Sequence, residues 1–172
     1  TIGEGVPVYE SFPYQVVQLL RKEFCEIAAA EIAAKTGWTT DELQDYIHDY
    51  LFALPYDIVS LLIGVNNQYR GRSIDEYAWQ FEHLLNQAIY IANDKPKQVF
   101  VLSIPDWGIT PFANGRDRAV ISQEIDAFNA VNKEIAGKLE VHYIDITAGT
   151  RLAASDPSLL AADQLHPSGK EY

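Results

Sequence analysis

Asp57-Ile58-Val59-Ser60-Leu61-Leu62-Ile63-Gly64 decides the fold of this chain. Its apolar residues run on with little alternation for the length of one strand, the pattern of a central parallel strand covered on both faces. Gly64 ends the run and opens the polar loop Val65-Asn66-Asn67-Gln68-Tyr69-Arg70-Gly71. Two further stretches read the same way: Gln98-Val99-Phe100-Val101-Leu102-Ser103-Ile104-Pro105, stopped by its proline, and Val141-His142-Tyr143-Ile144-Asp145-Ile146.

Helices are predicted between and before these strands. Ser73-Ile74-Asp75-Glu76 has the spacing of a capping box, and Ile74, Tyr77, Phe81, Leu84, Leu85, Ala88 and Ile89 then recur every three or four residues. Ala119 to Leu139 carries an apolar face of Ile121, Ile125, Phe128, Val131 and Ile135. Thr39-Thr40-Asp41-Glu42 predicts another capping box, opening a helix that reaches about Leu51. Pro13 to Phe24 is helical by its stripe of Val16, Val17, Leu19, Leu20 and Phe24, with Pro13 in the first turn. Phe24 to Ala34 reads two ways, since alanine content favours helix and its place before Thr36-Gly37 favours a strand; a short strand over Glu26 to Ala30 is expected.

Strands alternating with long helices indicate a layered α/β domain, whose loops after the strands gather on one edge. Ligand sites of open α/β sheets form there. With 172 residues and 48% hydrophobic content the chain can bury one core, so a single domain over residues 1–172 is expected. A net charge of −11, with 13 basic residues in no run, argues against nucleic acid and anionic membrane surfaces as partners. No stretch reaches transmembrane length, and Thr1-Ile2-Gly3-Glu4-Gly5 lacks the features of a secretory signal. The chain therefore reads as soluble, its compartment open between cytoplasm and export after removal of an upstream segment. Cys25, the only cysteine, follows Leu20 and Phe24 and is expected to be a buried packing thiol.

The chemistry gathers near the C-terminus, in Asp163-Gln164-Leu165-His166-Pro167. An imidazole that shuttles protons needs a carboxylate to fix its tautomer, and a three-residue separation lets both face one side of a turn. Solvation of Asp163 and local capping by His166 is the plainer reading. Asn66 offers an amide NH2 to an oxygen gaining negative charge, or alternatively stabilises its own loop as an Asx turn. Gly37, just before a predicted helix, can aim a backbone N–H into the same site or serve only as a loop residue. Trp38, Tyr69 and Trp107 fall on loops at the expected active edge and can wall a pocket. Asp106 stands there too, where a loop-capping role is equally open.

Other constellations have less support. His48, His83 and His142 are scattered, with no HExxH or Cys/His pattern, and no metal or organic cofactor is implied. No GxSxG elbow occurs, and neither Ser60 nor Ser103 stands at a sharp strand-to-helix turn.

Taken together, Lys35-Thr36-Gly37-Trp38, Gly64-Val65-Asn66-Asn67 through Gly71, and Asp163-Gln164-Leu165-His166-Pro167 closely resemble the second, third and fifth blocks of the SGNH, or GDSL-type, hydrolases. The likeness spans almost the whole chain. It implies a three-layer α/β/α domain with a parallel, flavodoxin-like sheet, here lacking its first strand. It also implies a serine esterase acting on small acyl esters, in which Asp163 orients His166 while the Gly37 amide and Asn66 side chain stabilise the oxyanion. Asn67 stands where the family often has aspartate. Transferred literally, the resemblance puts the nucleophilic serine two residues ahead of Thr1 and predicts truncation at both ends. A carbohydrate deacetylase or acyltransferase would use the same chemistry, a noncatalytic binding or assembly module would keep only the scaffold, and self-association stays open.

Overall fold

The computed structural model describes residues 3–172. Thr1 and Ile2 lie outside the described residues. Three parallel strands, β1 (Val59–Leu61), β2 (Val99–Leu102) and β3 (His142–Ile144), form a sheet in the order β1-β2-β3. Val59 pairs with Val99 and Val101 with Tyr143. Each strand is the middle of a predicted run, trimmed where the chain bends toward its loops.

The helices follow the apolar periodicity. α1 (Phe12–Lys22) and α2 (Thr40–Asp49) precede the sheet; α3 (Val65–Tyr69) and α4 (Ile74–Ile91) join β1 to β2, and α5 (Arg118–Lys138) joins β2 to β3. Tyr77, Phe81, Leu84 and Leu85 of α4 are buried against Val99, Val101 and Ile104, with Ile125 and Phe128 of α5 completing the core. Each large side chain so buried contributes about 1.5–3 kcal/mol. α6 (Thr147–Thr150) and the short 3-10 turns after it, Arg151–Ala154 and Pro157–Leu159, are too brief to show a helical period in sequence.

Both predicted caps occur, one of them in part. Glu42 closes the box at α2, its carboxylate accepting from the Thr39 amide at 2.9 Å. At α4 the Ser73 hydroxyl accepts from the Asp75 and Glu76 amides, but the Glu76 carboxylate is taken by Arg72 and Gln80 instead of returning to the cap.

The region ahead of α2 departs from expectation. α1 stops at Lys22, Phe24 turns the chain at φ 62° with 95% of its surface exposed, and Glu26 to Ala30 forms no strand. Cys25 is exposed rather than buried. The cause is the same in each case. The helical stripe ends before Phe24, so the following apolar residues no longer point at a shared face; Val17 is the buried member of α1, while Leu19 is exposed.

Buried polar contacts fix the strand ends that carry the site. The Tyr77 hydroxyl shares its one hydrogen between Asn132 Oδ1 at 2.6 Å and the Ile63 carbonyl at 3.0 Å, and burial pushes its pKa far up. The phenol sits so close to Gly64 that a Cβ there would lie 2.5 Å from its oxygen, at a φ of +127° that side chains rarely adopt. Only glycine fits. At the end of β2 the Ser103 hydroxyl accepts from the Ile146 and Thr147 amides, and Asn129 brackets both polar groups of Ile104. Ser103 is thereby committed to holding β2 and β3 together.

Candidate active site

Asn66 sits in the first turn of α3, directly after the Gly64 bend. Its side-chain NH2 donates one hydrogen to the Trp38 carbonyl at 3.1 Å, which fixes the amide plane and leaves the second hydrogen for another acceptor. Asn67 points the other way, fully buried, its Oδ1 accepting from the Thr40 amide at 3.1 Å and its Nδ2 donating to the Thr40 hydroxyl at 2.7 Å. The Thr40 hydroxyl also bonds to Gln80 of α4. Asn67 is therefore a tie between α3 and the start of α2, and Asn66 alone of the pair faces the site.

Gly37 occupies the third position of the turn Lys35–Trp38, closed by the Trp38 amide on the Lys35 carbonyl at 3.3 Å, with φ +89°. A positive φ at that position is the type II pattern and explains the glycine. Two contacts not evident in the sequence hold this turn. Arg70 donates to the Gly37 carbonyl at 2.7 Å, and the Thr36 hydroxyl donates to the Glu4 carboxylate.

Asp163 and His166 lie on a tight loop whose ends pair as an isolated antiparallel bridge between Leu160 and Pro167. Gln164 takes the left-handed conformation at its tip, φ 59°. Asp163 Oδ1 accepts from the Leu165 and His166 amides at 3.0 Å each, and Oδ2 faces His166 Nδ1 at 2.7 Å. Partial burial pushes the Asp163 carboxyl up, but the bonds from the imidazole and the two amides outweigh it and hold the pKa below the usual aspartate value. With Nδ1 engaged, Nε2 is the nitrogen that can exchange a proton.

These elements meet around one cleft of about 420 Å³, lined among others by Gly37, Trp38, Asn66, Tyr69, Trp107 and His166. Asp163 reaches it through His166. All three loop aromatics singled out by position line it, and Trp107 is fixed by its Nε1–H donating to Gln68 at 2.6 Å. The N-terminal segment borders the same place. Glu4 lines the cleft, and a Cβ on Gly5 would stand 3.1 Å from Asp163 Oδ2.

Asp106 resolves to the plainer of its two readings. It is buried, its Oδ1 accepts from the Gly108 amide at 2.9 Å, and its Oδ2 pairs with Arg151 at 2.9 Å. Ser60 lines the cleft from β1. Among the described residues no cluster of His, Cys, Asp and Glu could hold a metal ion. Among the described residues no helix is long and apolar enough to cross a membrane.

Comparison with known proteins places the chain in a family. The model of the GDSL-like lipase/acylhydrolase family matches residues 1–172. No curated protein sequence matches significantly. Among solved structures, the acetylxylan esterase Axe2 from Geobacillus stearothermophilus superposes with a TM-score of 0.68 at 21% identity, over 92% of this chain and 74% of that one. The psychrotrophic esterase EstA from Pseudoalteromonas sp. gives 0.68 at 16% identity, over 98% and 83%. At these identities the superpositions establish the α/β fold.

Proposed function

The chain belongs to the GDSL-like lipase/acylhydrolase family and is an SGNH-type esterase by that membership, and from this premise we propose that it hydrolyses small acyl esters through a serine acyl-enzyme assisted by Asp163, His166, Asn66 and Gly37. The observation that carries the reading is the meeting of the Asp-paired His166 imidazole with Gly37 and Asn66 around one aromatic-walled cleft.

In the first step a serine hydroxyl attacks the acyl carbon as its proton passes to His166 Nε2. Asp163 Oδ2 holds the ring by Nδ1–H and stabilises the imidazolium. The carbonyl oxygen, now negative, accepts from the Gly37 N–H and from the second Asn66 amide hydrogen. These donors are in place beforehand, so their stabilisation costs no reorganisation. The tetrahedral intermediate expels the alcohol, which takes the proton back from Nε2. Water then attacks the acyl-enzyme by the same route, releasing the acid and restoring the serine.

The attacking serine in this reading precedes Thr1 by two residues, in one hydrolase domain with residues 1–172. The closeness of Gly5 to Asp163 supports that placement, because it runs the N-terminal segment beside the acid of the dyad. A carbohydrate acetyl ester is the narrower substrate class that the match to an acetylxylan esterase favours, and the accessible Trp38 and Tyr69 walls suit contact with the apolar face of a sugar ring.

Turnover of p-nitrophenyl acetate by the intact protein tests this reading. Rapid hydrolysis is expected, abolished by His166→Ala and by prior reaction with a serine-directed phosphonate. Equal rates in His166→Ala and the unaltered protein would sink the mechanism, and absence of any phosphonate adduct would leave a noncatalytic binding module.

A further inference from the structure

We infer that Arg70, which the proposed mechanism does not use, is a positioning residue for the oxyanion donors; the inference rests on that mechanism. α3 carries Asn66, and Arg70 follows as its C-terminal cap, with its own amide bonded to the Asn66 carbonyl at 3.0 Å. From there the guanidinium reaches back to the Gly37 turn. Its Nη2 donates to the Gly37 carbonyl at 2.7 Å, and its Nη1 lies 3.2 Å from the Glu42 carboxylate. The turn that bears one oxyanion donor thus also grips the residue that bears the other.

The grip matters because of what Gly37 is. Without a Cβ, a glycine at φ +89° can leave that conformation at little cost, and its N–H turns with it. Holding the carbonyl on one side of the Cα limits that drift. The Asn66 amide on the Trp38 carbonyl fixes the next peptide, so two successive carbonyls of the loop are tied to α3. Glu42 anchors the guanidinium in turn, being itself held by the Thr39 amide and hydroxyl. A charge-assisted bond with a planar fork suits this task better than a lysine's single ammonium.

An arginine that only stabilised the fold would affect all substrates alike. One that aims an oxyanion donor has more effect where the donor is used more, and a thionoester, whose sulfur accepts hydrogen bonds weakly, uses it less. In the intact enzyme Arg70→Ala is expected to lower kcat roughly tenfold to a hundredfold on an oxygen ester with KM nearly unchanged, and to lower the ratio of oxygen-ester to thionoester turnover. Arg70→Lys should restore part of that ratio. Glu42→Gln, which removes the ion pair but keeps the carbonyl contact, should lose less than Arg70→Ala. An unchanged ratio in folded Arg70→Ala, or an equal loss in Glu42→Gln, would overturn the inference. Should Arg70→Ala not fold, Arg70→Met keeps the aliphatic stem and is read by the same ratio; failure of both to fold would make the residue structural and overturn the inference as well. If the unaltered enzyme is inert, or His166→Ala is as active as it, the mechanism itself falls instead.

Discussion

Asn66 and His166 line one cleft, yet they are held there by different means. The Asp163–His166 loop is almost self-sufficient: its bonds span two or three residues, plus the short bridge from Leu160 to Pro167, and both side chains are part-exposed. The Gly37–Asn66 side has little local support. It depends on contacts between residues far apart in sequence, Asn67 with Thr40, Thr40 with Gln80, Gly64 under Tyr77, and Arg70 on Gly37. Chemistry placed on a local turn can be changed without disturbing the core; chemistry placed by tertiary contacts cannot.

Substitutions should separate the two sides. Asp163→Asn leaves the loop geometry available but favours the wrong imidazole tautomer, so kcat should fall on the order of 10⁴-fold. Urea midpoints should meanwhile show a stability change within about 0.5 kcal/mol, as for other surface positions. Asn66→Ala should cost about 10²–10³ in kcat with KM little altered, measured by steady-state kinetics. A rise in KM alone would assign Asn66 to substrate binding.

One step further from the chemistry, Asn67→Ala removes the acceptor of the buried Thr40 amide. It should lower unfolding free energy by about 1–3 kcal/mol, with activity falling only as folded protein is lost. The mildest test concerns the base of the His166 loop, where Lys170 pairs with Asp156 at 2.7 Å. Its hydrogen bonds with Lys170 and Ser158 lower the Asp156 pKa from 3.8 to about 2. A depressed carboxyl stabilises the fold above its unfolded pKa and loses that contribution as protons return. The melting temperature of Asp156→Asn should therefore lie slightly below that of the unaltered protein above pH 4, and the gap should close as pH falls toward 2. A gap that persisted there would show that the carboxylate's charge is not what matters.

Much of the fold was legible because its signals are repetitive. The β1 and β2 runs and the stripes of α4 and α5 each combine many residues into one period, and the structure trims them only at their ends. Single-residue signals fared less well. Cys25 and Phe24 continue an apolar stripe on paper, but the helix ends before them and both are exposed. Glu26 to Ala30 had no period to decide between helix and strand, and forms neither. Asp106 gave two readings that only its bonds to Gly108 and Arg151 could separate. Arg70 gave no signal at all, since its partner lies 33 positions away.

The amino-acid order by itself determined the α/β class, the three strand runs, the dyad's i, i+3 geometry and the family motifs, because each is a matter of spacing along the chain. What Asn67 holds was decided only by folding, as was the joining of Gly37 to α3 and the passage of the N-terminal segment beside Asp163. Those outcomes depend on where buried polar groups find partners across the core, and a linear sequence does not record that distance.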